Sequence, residues 1–326
     1  MINKHEIYGV IDSLDEGKYL AELEPLRSCT ICPRKCGVNR LAGETGYCRA
    51  DASFTVSSIC RHMGEEPVIS GPRGICNVFF TQCNLQCLYC QNYQISRNDG
   101  DYRDCRMELK DVLRNIVDIM AAGTNMVGFV SPTHYVPQVK AIMAALKDVG
   151  LDPVFVYNTN GYDTVETLRS LEGHIQVYMP DFKYSSPELA RHCSGAEDYP
   201  EAALRAHKEM YQQIGSAFIT MGGYLIRGIL IRHLVLPGHT GNSIGVLRMI
   251  AREISTNLHI SLMSQYYPNP RVMDDPSLCK TLHPGDYYRV VEAMEALGFT
   301  KGWVQEMSSA RTYNPDFRRQ HPFESM

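Results

Sequence analysis

The stretch Cys83-Asn84-Leu85-Gln86-Cys87-Leu88-Tyr89-Cys90 places three cysteines on one short loop. The apolar run 75–80 leads directly into this loop and predicts a buried strand. Three thiolates in a C-x3-C-x2-C loop suit a cuboidal [4Fe–4S] cluster, with one cysteine for each of three irons. The fourth iron then has no nearby protein ligand, and an open position is typical of catalytic metal sites. A zinc loop with a distant fourth ligand and three buried free cysteines are the alternatives.

The composition excludes several classes of protein. The chain has 326 residues, 44% of them hydrophobic and 21% charged, which is ordinary for a globular protein with one large domain and a smaller one. The net charge is -4 and there is no long basic run, so we expect no general nucleic-acid binding. No apolar run approaches the ~18 residues of a membrane helix, and residues 1–7 lack the apolar core of a signal peptide. We therefore expect a cytoplasmic protein without membrane attachment.

Cysteine usage indicates metal chemistry. The chain has 12 cysteines and no export signal, which favours metal ligands over disulfides. A second group of cysteines, besides the loop above, consists of Cys29, Cys32, Cys36 and Cys48. Four thiolates predict a closed site, either a structural zinc or an auxiliary iron–sulfur cluster, and cysteines without metal are the alternative. An exposed cluster with three cysteine ligands would be oxygen-labile, so we expect an anaerobic setting.

The pattern along the chain predicts repeated βα units. Residues 1–74 form a cysteine-rich N-terminal segment, residues 75–303 the main domain, and residues 304–326 a tail that packs on it. From residue 75 onward, short apolar runs alternate with amphipathic stretches, as in a parallel sheet covered by helices. The predicted strands are 75–80, 126–131, 153–158, 175–181, 228–236 and 259–264. The predicted helices are 107–122, 136–149, 164–171, 200–214, 242–254 and 286–297. The segment 218–225 has two glycines at its middle and predicts a hairpin.

The C-x3-C-x2-C loop after a first strand resembles that of the radical S-adenosylmethionine (SAM) superfamily. The resemblance implies an α/β fold with a partial (β/α)6 barrel. It implies that Cys83, Cys87 and Cys90 hold a [4Fe–4S] cluster whose open iron binds the amino and carboxylate groups of SAM. An electron from the cluster would then cleave SAM to methionine and a 5′-deoxyadenosyl radical, with the protein directing that chemistry. The aromatic residue before the third cysteine, Tyr89, matches the superfamily's adenine-side position.

Polar motifs stand where predicted strands end, which is where barrels of this kind keep their working residues. Asp181-x-Lys183 resembles the D-x-K motif of glycyl-radical-enzyme activases such as pyruvate formate-lyase activating enzyme. The resemblance implies that Asp181 accepts from the ribose or amino group of SAM and that Lys183 pairs with its carboxylate. Arg232 resembles the activases' SAM-contacting arginine, whose donor fork suits a carboxylate. An ordinary buried ion-pair network is the alternative for these three residues.

One subgroup is matched more closely. Cys29–Cys48 has the pattern C-x2-C-P-R-x-C-G-V-N-R-x2-G-E-x-G-x-C, and His62-x2-Glu65-Glu66-Pro67 and Cys90-Gln91-Asn92 follow it. These segments resemble radical SAM proteins that are named by analogy after pyruvate formate-lyase activating enzyme. Such a name identifies the chemistry better than the substrate.

The chain departs from the true activases at one turn. They carry a Gly-Gly-Glu turn after the second strand, where this chain has Ser131-Pro132-Thr133-His134. We expect the oxygen of Ser131 or Thr133 to hold the SAM amino group and His134 to serve as a proton donor or substrate contact. The residues that we place in the cofactor site at strand ends are Ser131, Thr133, His134, Asn158 and Gln265.

The predicted function is cleavage of SAM followed by hydrogen abstraction. One version activates a glycyl radical enzyme, a loop of which would enter the open side of the barrel. Another version modifies a peptide, an RNA or a small metabolite. A metal-binding structural or sensor protein without turnover is the alternative of another class. The expected partners are a flavodoxin- or ferredoxin-like electron donor and, for the activase, a protein substrate.

Overall fold

A mostly parallel sheet organises the molecule. The computed structural model describes residues 3–311, 315–319 and 322–323. The strands of this part of the chain are β1 (Phe54–His62), β2 (Ile75–Phe80), β3 (Arg106–Met107), β4 (Met126–Val130), β5 (Val154–Thr159), β6 (Val177–Pro180), β7 (Ile219–Met221), β8 (Tyr224–Leu234), β9 (His259–Met263) and β10 (Gly302–Val304). They are ordered β10-β9-β8-β6-β5-β4-β2-β1-β3, and β7 pairs with β8.

Helices fill the connections between the parallel strands. The α-helices of the described residues are α1 (Lys4–Ser13), α2 (Gly17–Leu20), α3 (Pro67–Ser70), α4 (Tyr93–Ser96), α5 (Leu109–Ala121), α6 (Val136–Asp148), α7 (Val165–Arg169), α8 (Pro187–Ser194), α9 (Tyr199–Ile214), α10 (Thr240–Glu253) and α11 (Pro284–Ala296). Short 3-10 turns lie at Ala21–Ser28, Arg40–Ala42, Arg103–Cys105, Thr133–Tyr135, Pro270–Val272 and Met307–Arg311.

The topology confirms the predicted βα repeat. Along β2, β4, β5, β6, β8, β9 and β10 every neighbouring pair is parallel, whereas β1 is antiparallel to β2 and β3 is antiparallel to β1. Parallel neighbours need a crossover, and α5, α6, α7, α9, α10 and α11 supply the crossovers at the predicted places. The predicted hairpin is confirmed by the pairing of β7 with β8, and Gly222 and Gly223 take φ values of 58° and 85° at its turn.

Three strands were not predicted, namely β1, β10 and the two-residue β3, whose Met107 falls in the predicted helix 107–122. β1 lies inside the cysteine-rich N-terminal segment, and a register shift between Val56 and Ser58 interrupts its alternation. β10 has only three residues, too few to carry a periodic signal. Each of these strands forms by pairing with another strand, β1 with β2, β10 with β9 and β3 with β1, so tertiary contact rather than local pattern specifies them.

The two faces of the sheet have different chemistry. The outer face packs under the helices through a large apolar core that includes Val78, Phe129, Phe155, Tyr178 and Ile231. The inner face begins with apolar side chains near the amino ends of the strands, where Ile69 of α3 packs among Ile75, Met126, Val156, Val177 and Leu230. Because side chains alternate along a strand, the inward positions nearer the carboxyl ends are the polar Asn77, Asn158 and Arg232.

The sheet curves into an open barrel. His62 of β1 and Val304 of β10 lie far apart in the strand order, yet both line one cavity of about 290 Å³. This curvature confirms the predicted α/β fold with a partial parallel barrel. Pro315 and Phe323, from the predicted tail, line the same cavity. The rest of that predicted tail lies partly outside the described residues, at 312–314, 320–321 and 324–326.

The N-terminal segment covers the outside of the barrel. The hydroxyls of Thr164 and Thr167, at the start of α7, donate to the backbone oxygen of Ile31 at 3.3 Å and 2.7 Å. Arg40 donates to the backbone oxygen of His134 at 2.7 Å. These contacts join the second cysteine group to the ends of two barrel strands. Across the described residues, no helix is long and apolar enough to cross a membrane.

Candidate active site

The loop with three cysteines follows directly on β2 at the carboxyl end of the barrel. Cys83 and Cys87 are buried, at 8% and 7% exposure, and Cys90 is partly exposed. The side-chain amide of Gln86 donates to the backbone oxygen of Cys83 at 3.3 Å and to Oδ1 of Asn98 at 2.9 Å. Gln86 itself takes a left-handed φ of 61°, which allows the tight turn between the first two cysteines. The loop is therefore held in one shape by its own backbone and by a neighbouring segment.

Hydrogen-bond donors surround the cysteine sulfurs. The backbone N–H of Leu85 and the side-chain amide of Asn160 approach Sγ of Cys83 at 3.3 Å and 3.4 Å. The hydroxyl of Ser194 donates to Sγ of Cys87, and that of Ser96 to Sγ of Cys90, both at 3.3 Å. Donors of this kind stabilise thiolate sulfur and tune the potential of an iron–sulfur cluster. The residues present therefore fit a cluster with three cysteine ligands.

Burial keeps two of the three thiols protonated in the absence of metal. Burial raises the pKa of Cys83 to about 12 and also raises the pKa of Cys90, so both are neutral thiols until a metal displaces the proton. Within the described ranges, no group of three or more His, Cys, Asp or Glu side chains is arranged to hold a metal ion.

A buried ion-pair network crosses the inner face of the barrel. The Arg232 guanidinium donates to Asp181 at 3.1 Å, to Glu65 at 3.1 Å and to Oδ1 of Asn158 at 2.6 Å. The Lys183 ammonium donates to the other oxygen of Asp181 at 2.6 Å. All three nitrogens of Arg232 are thus occupied by protein acceptors. The arrangement is the ion-pair alternative named above, placed at the strand ends where the cofactor site is expected.

The charges in this network hold one another ionised. Burial alone would raise the pKa of Asp181, but the Lys183 ammonium and the Arg232 guanidinium hold that pKa below its usual value. For Arg232, burial alone would lower the pKa, and the carboxylates of Asp181, Glu65 and Glu66 raise it instead. The inner face therefore carries fixed charges at neutral pH.

Glu66 is the exception among the carboxylates. Burial raises its pKa above the usual value, against the opposing effect of Arg232. Its Oε2 atom is buried and finds no hydrogen-bond partner within the described part of the chain. Glu65, by contrast, accepts from Asn77 at 3.0 Å and from Arg232. Glu66 is thus a carboxyl group on the cavity wall that the protein itself leaves partly unsatisfied.

Some of the predicted site residues line the cavity. Asn158, Arg232 and Gln265 line it, together with Glu65 and Glu66. Tyr89 is buried beside the cysteine loop, with its ring 6.3 Å from that of Tyr184 and 6.2 Å from that of Tyr266. Lys183 lies near enough to Cys87 and Cys90 for their charges to affect its pKa. The cysteine loop, the ion-pair network and the cavity are therefore neighbours.

The turn at 131–134 packs against the ends of neighbouring strands. Ser131 has a left-handed φ of 49° and donates its N–H to the backbone oxygen of Asn158 at 2.7 Å. Thr133 is buried with its hydroxyl 3.2 Å from that of Thr159. His134 is buried with Nε2 2.9 Å from the backbone oxygen of Thr81, and burial lowers its pKa to about 3. None of these three is among the described residues that line the cavity, so their role toward SAM stays a prediction.

The second cysteine group comes together around another small cavity. The side chains that line it include those of Cys29, Cys32, Cys36, Cys48, Arg40 and His134. The backbone N–H of Tyr47 donates to Sγ of Cys36 at 3.3 Å. The remaining cysteines, Cys60, Cys76, Cys105, Cys193 and Cys279, are free thiols outside the two groups.

Several residues of the site were not predicted. Asn160 and Ser194 donate to the cysteine sulfurs, but only the fold brings them to the loop from 77 and 107 positions away. Glu65 and Glu66 belong to a motif quoted above, yet nothing local shows that they enter the barrel. The available signal in the sequence was a pair of carboxylates before a proline. The sequence does not show that Glu65 pairs with Arg232, which the structure places 3.1 Å away.

The comparisons with known proteins agree with this geometry. A family model described as the radical SAM superfamily matches residues 77–244. A protein of Methanocaldococcus jannaschii, described as uncharacterised, is 27% identical over 276 residues, which cover 82% of this chain and 74% of that protein.

Solved structures with low sequence identity are also similar. A radical SAM methyltransferase from Sphaerobacter thermophilus has a TM-score of 0.49 and 12% identity, over 71% of this chain and 66% of the other. A methylornithine synthase has a TM-score of 0.44 and 13% identity, over 90% and 74%. A maturase of the [FeFe]-hydrogenase has a TM-score of 0.46 and 13% identity, over 95% and 68%. This chain therefore spans about two thirds of the methyltransferase.

The family match covers the working part of the barrel. It extends from β2 through the cysteine loop and the ion-pair network to the start of α10. Members of this family use a [4Fe–4S] cluster and SAM and take electrons from an external reductant. The match spans more than half of the chain, which therefore belongs to the radical SAM superfamily.

Proposed function

We propose that this enzyme cleaves SAM reductively at the Cys83–Cys90 loop and abstracts hydrogen from a substrate bound in the barrel cavity. When bound, the cluster and SAM supply a 5′-deoxyadenosyl radical. The observation that carries the proposal is the position of the cysteine loop beside a cavity of about 290 Å³ at the carboxyl ends of the strands. Active sites of parallel barrels lie at this end.

The protein side chains have distinct tasks in this proposal. Cys83, Cys87 and Cys90 hold the cluster, and the donors around their sulfurs stabilise the thiolates. Asp181 and Lys183 form an ion pair at 2.6 Å next to Arg232, which lines the cavity, and the pair offers both an acceptor and a cation. These groups can bind the ribose hydroxyls and the carboxylate of SAM, respectively.

Arg232 acts as a positioning residue in the proposal. Its three nitrogens are engaged with Asp181, Glu65 and Asn158, so it orients those acceptors. Direct contact with the SAM carboxylate would require one of these bonds to be exchanged. We therefore assign the carboxylate contact first to Lys183 and treat Arg232 as the residue that holds Asp181 in place.

The size and lining of the cavity favour a small substrate or a single side chain. Ligand pockets for small molecules begin at roughly 300 Å³, so about 290 Å³ leaves no room for a folded loop without rearrangement. Phe323 from the tail also lines the cavity. Modification of a metabolite or of one peptide side chain is therefore the version that the geometry favours. Activation of a glycyl radical enzyme, which the D-x-K motif suggests, requires the tail to move.

The test is anaerobic SAM cleavage. Reconstituted, dithionite-reduced protein should convert SAM to 5′-deoxyadenosine and methionine, and unreduced protein should not. Deuterium from a labelled substrate should appear in 5′-deoxyadenosine. The absence of 5′-deoxyadenosine under reducing conditions, in protein shown to contain iron and sulfide, would favour the structural or sensor alternative.

Two kinds of substrate can be separated in the same assay. A candidate glycyl radical enzyme should raise 5′-deoxyadenosine formation and gain a glycyl radical signal in electron paramagnetic resonance if the activase version is correct. If the substrate is instead a small metabolite or a short peptide, that compound should raise 5′-deoxyadenosine formation without a glycyl radical signal.

A further inference from the structure

We infer that an acidic electron-carrier protein docks in a basic groove outside the barrel cavity and reduces the cluster from there. The basic groove is a surface depression of about 480 Å³, and the side chains that line it include Arg49, Arg97, Arg271, Gln86, Leu88 and Ser194. The inference rests on the proposed function, because a carrier is needed only if the cysteine loop holds a redox-active cluster.

The basic groove reaches the cysteine loop. Gln86 and Leu88, which stand on either side of Cys87 in the chain, line the groove. Ser194 lines it too, and the Ser194 hydroxyl donates to Sγ of Cys87 at 3.3 Å. A single side chain therefore separates the groove from a ligand sulfur. A carrier seated in the groove would bring its own redox centre close to the cluster, as electron transfer between proteins requires.

The barrel cavity approaches the same loop from another side. Gln91 and Asn92, which directly follow Cys90, line the cavity. Among the described residues, none lines both the cavity and the basic groove. SAM and the substrate occupy the cavity in the proposed function, so a carrier in the groove would not compete with them.

The basic groove carries unpaired positive charge. Three arginines line it, namely Arg49, Arg97 and Arg271. Asp99 also lines the groove, but its carboxylate is paired with Arg97. Within the described ranges, no carboxylate lies within ion-pair distance of Arg49 or Arg271. The chain as a whole has a net charge of -4, so the groove is a positive region on a protein of negative net charge.

Neighbouring side chains do not cancel this charge. Asp275 is already paired with His192, which lines the groove, at 2.7 Å. Arg34 adds a cation behind the wall of the groove. The Arg34 guanidinium lies 3.8 Å from the centre of the Tyr47 ring and donates to the backbone oxygen of Asn84 at 3.1 Å. These contacts join the N-terminal segment to the cysteine loop, so the charged wall is held in one shape.

The charge and the position of the groove together favour an acidic electron carrier. Opposite charges on two proteins speed their encounter, and complexes that transfer electrons are small and short-lived. Members of this superfamily take electrons from an external reductant. A nucleic acid would be attracted by the same arginines, but it would gain nothing from a ligand sulfur behind the wall. A carrier accounts for both features.

The step transfers one electron and no atoms. The carrier is oxidised by one electron, and the cluster is reduced by the same electron before SAM is cleaved. The probe is fully reduced flavodoxin, an acidic carrier whose flavin changes colour when it gives up one electron. This colour change is measured in a stopped-flow instrument without SAM, so it reports electron transfer rather than turnover.

The test variant reverses two charges of the basic groove. Arg49→Glu combined with Arg97→Glu changes two exposed side chains that make no hydrogen bond to the cysteine loop. Arg205→Glu combined with Arg289→Glu is the matched control, because it changes the net charge equally on α9 and α11. Dithionite should reduce the cluster to the same extent in both variants and in wild type.

Flavodoxin should distinguish the two variants. At low ionic strength the second-order rate constant for electron transfer should fall roughly tenfold or more in the groove variant and stay unchanged in the control. Added salt should slow wild type and reduce the difference, because it screens the attraction. Oxidised flavodoxin, which transfers no electron, should bind wild type and the control more tightly than the groove variant in surface plasmon resonance.

Several outcomes would overturn the inference. One is equal binding and equal electron transfer in the groove variant and the control. Another is a groove variant that loses affinity for a short duplex RNA but not for flavodoxin. If the groove variant does not fold or hold its cluster, a wild-type rate that does not change with ionic strength would overturn the inference. SAM cleavage by dithionite-reduced wild type is independent of these results, so the proposed function is tested separately.

Discussion

At the scale of single residues, alternation along a strand decides which chemistry faces the cavity. Arg232 and His233 are neighbours on β8, yet Arg232 points inward to Asp181 and Glu65 while His233 is buried with Nδ1 2.6 Å from the backbone oxygen of Phe182. The buried histidine is neutral, because burial lowers its pKa to about 4. The same rule directs Asn158 into the cavity from β5.

The assignment of the first cluster predicts an all-or-none effect at Cys87. Cys87→Ala should lose the cluster's visible absorbance and all SAM cleavage, because a cubane with two protein ligands is not retained. Iron content and 5′-deoxyadenosine yield measure the two effects. Cys105→Ala, which alters a partly exposed cysteine outside both groups, is the control. Turnover by Cys87→Ala would refute the ligand assignment.

The unsatisfied carboxyl group of Glu66 predicts a pH effect on stability. Its folded pKa is raised above the usual 4.5, so the folded state binds more protons and stability falls as pH rises from about 4.5 through the folded pKa. The Glu66→Gln variant has no titrating carboxyl group at this position, so it should not lose stability in this way as the pH rises. Urea unfolding should show the variant gaining stability relative to wild type as the pH rises from 4.5 to 8. A difference that does not change with pH would contradict the assignment.

At the scale of elements, the turns after the barrel strands are packed against the neighbouring strand. Gly161 follows β5 with a φ of 78°, and an added Cβ would lie 2.3 Å from the backbone oxygen of Asp181. The turn after β5 therefore sets the position of the residue that pairs with Lys183 and Arg232. Tyr199 of α9 seals the same junction by donating to that oxygen at 2.9 Å.

This packing predicts a difference between two glycines. Gly161→Ala should destabilise the protein by about 2–4 kcal/mol and reduce SAM cleavage, because the backbone at Asp181 must shift. Gly150→Ala, also at a left-handed φ (81°) but with open space around the added Cβ, should cost only about 1 kcal/mol and keep activity. Urea unfolding and the cleavage assay compare them. Equal losses would show that the contact with Asp181 is unimportant.

At the scale of the whole molecule, the barrel is open between its first and last strands, and the described tail residues Pro315, Phe317 and Phe323 lie at that opening. The ring of Phe323 lies 4.1 Å from that of His62, and the ring of Phe317 lies 5.2 Å from that of Phe79. These contacts place apolar side chains over one wall of the cavity. A tail in this position would limit the access of solvent and oxygen to the site.

Removing both rings should therefore expose the cluster. Phe317→Ala combined with Phe323→Ala should bleach several-fold faster in air than wild type, as measured by the decay of the visible absorbance. The control is Tyr288→Ala, a residue 55% exposed on α11. An unchanged bleaching rate would contradict a protective role of the tail and would return the activase version, with its open barrel, to first place.

The amino-acid sequence by itself determined the local elements and the chemistry of the first cysteine group. Periodicity placed the six central strands and their helices, because each buries its own apolar face, and the spacing of Cys83, Cys87 and Cys90 is a property of one loop. The strands β1, β3 and β10 were not predicted, because they form by pairing with strands that are distant in the sequence.

Only the tertiary structure decided what surrounds these cysteines. It brought Glu65 and Glu66 into the barrel, directed Asn160 and Ser194 to the sulfurs, and placed Arg40 beside the second cysteine group. It also placed His134 beside the second cysteine group rather than in the lining of the barrel cavity. The physical reason is the same in each case. Charge balance and hydrogen bonding join residues that are far apart in the chain, and a local sequence pattern does not show which residues will pair.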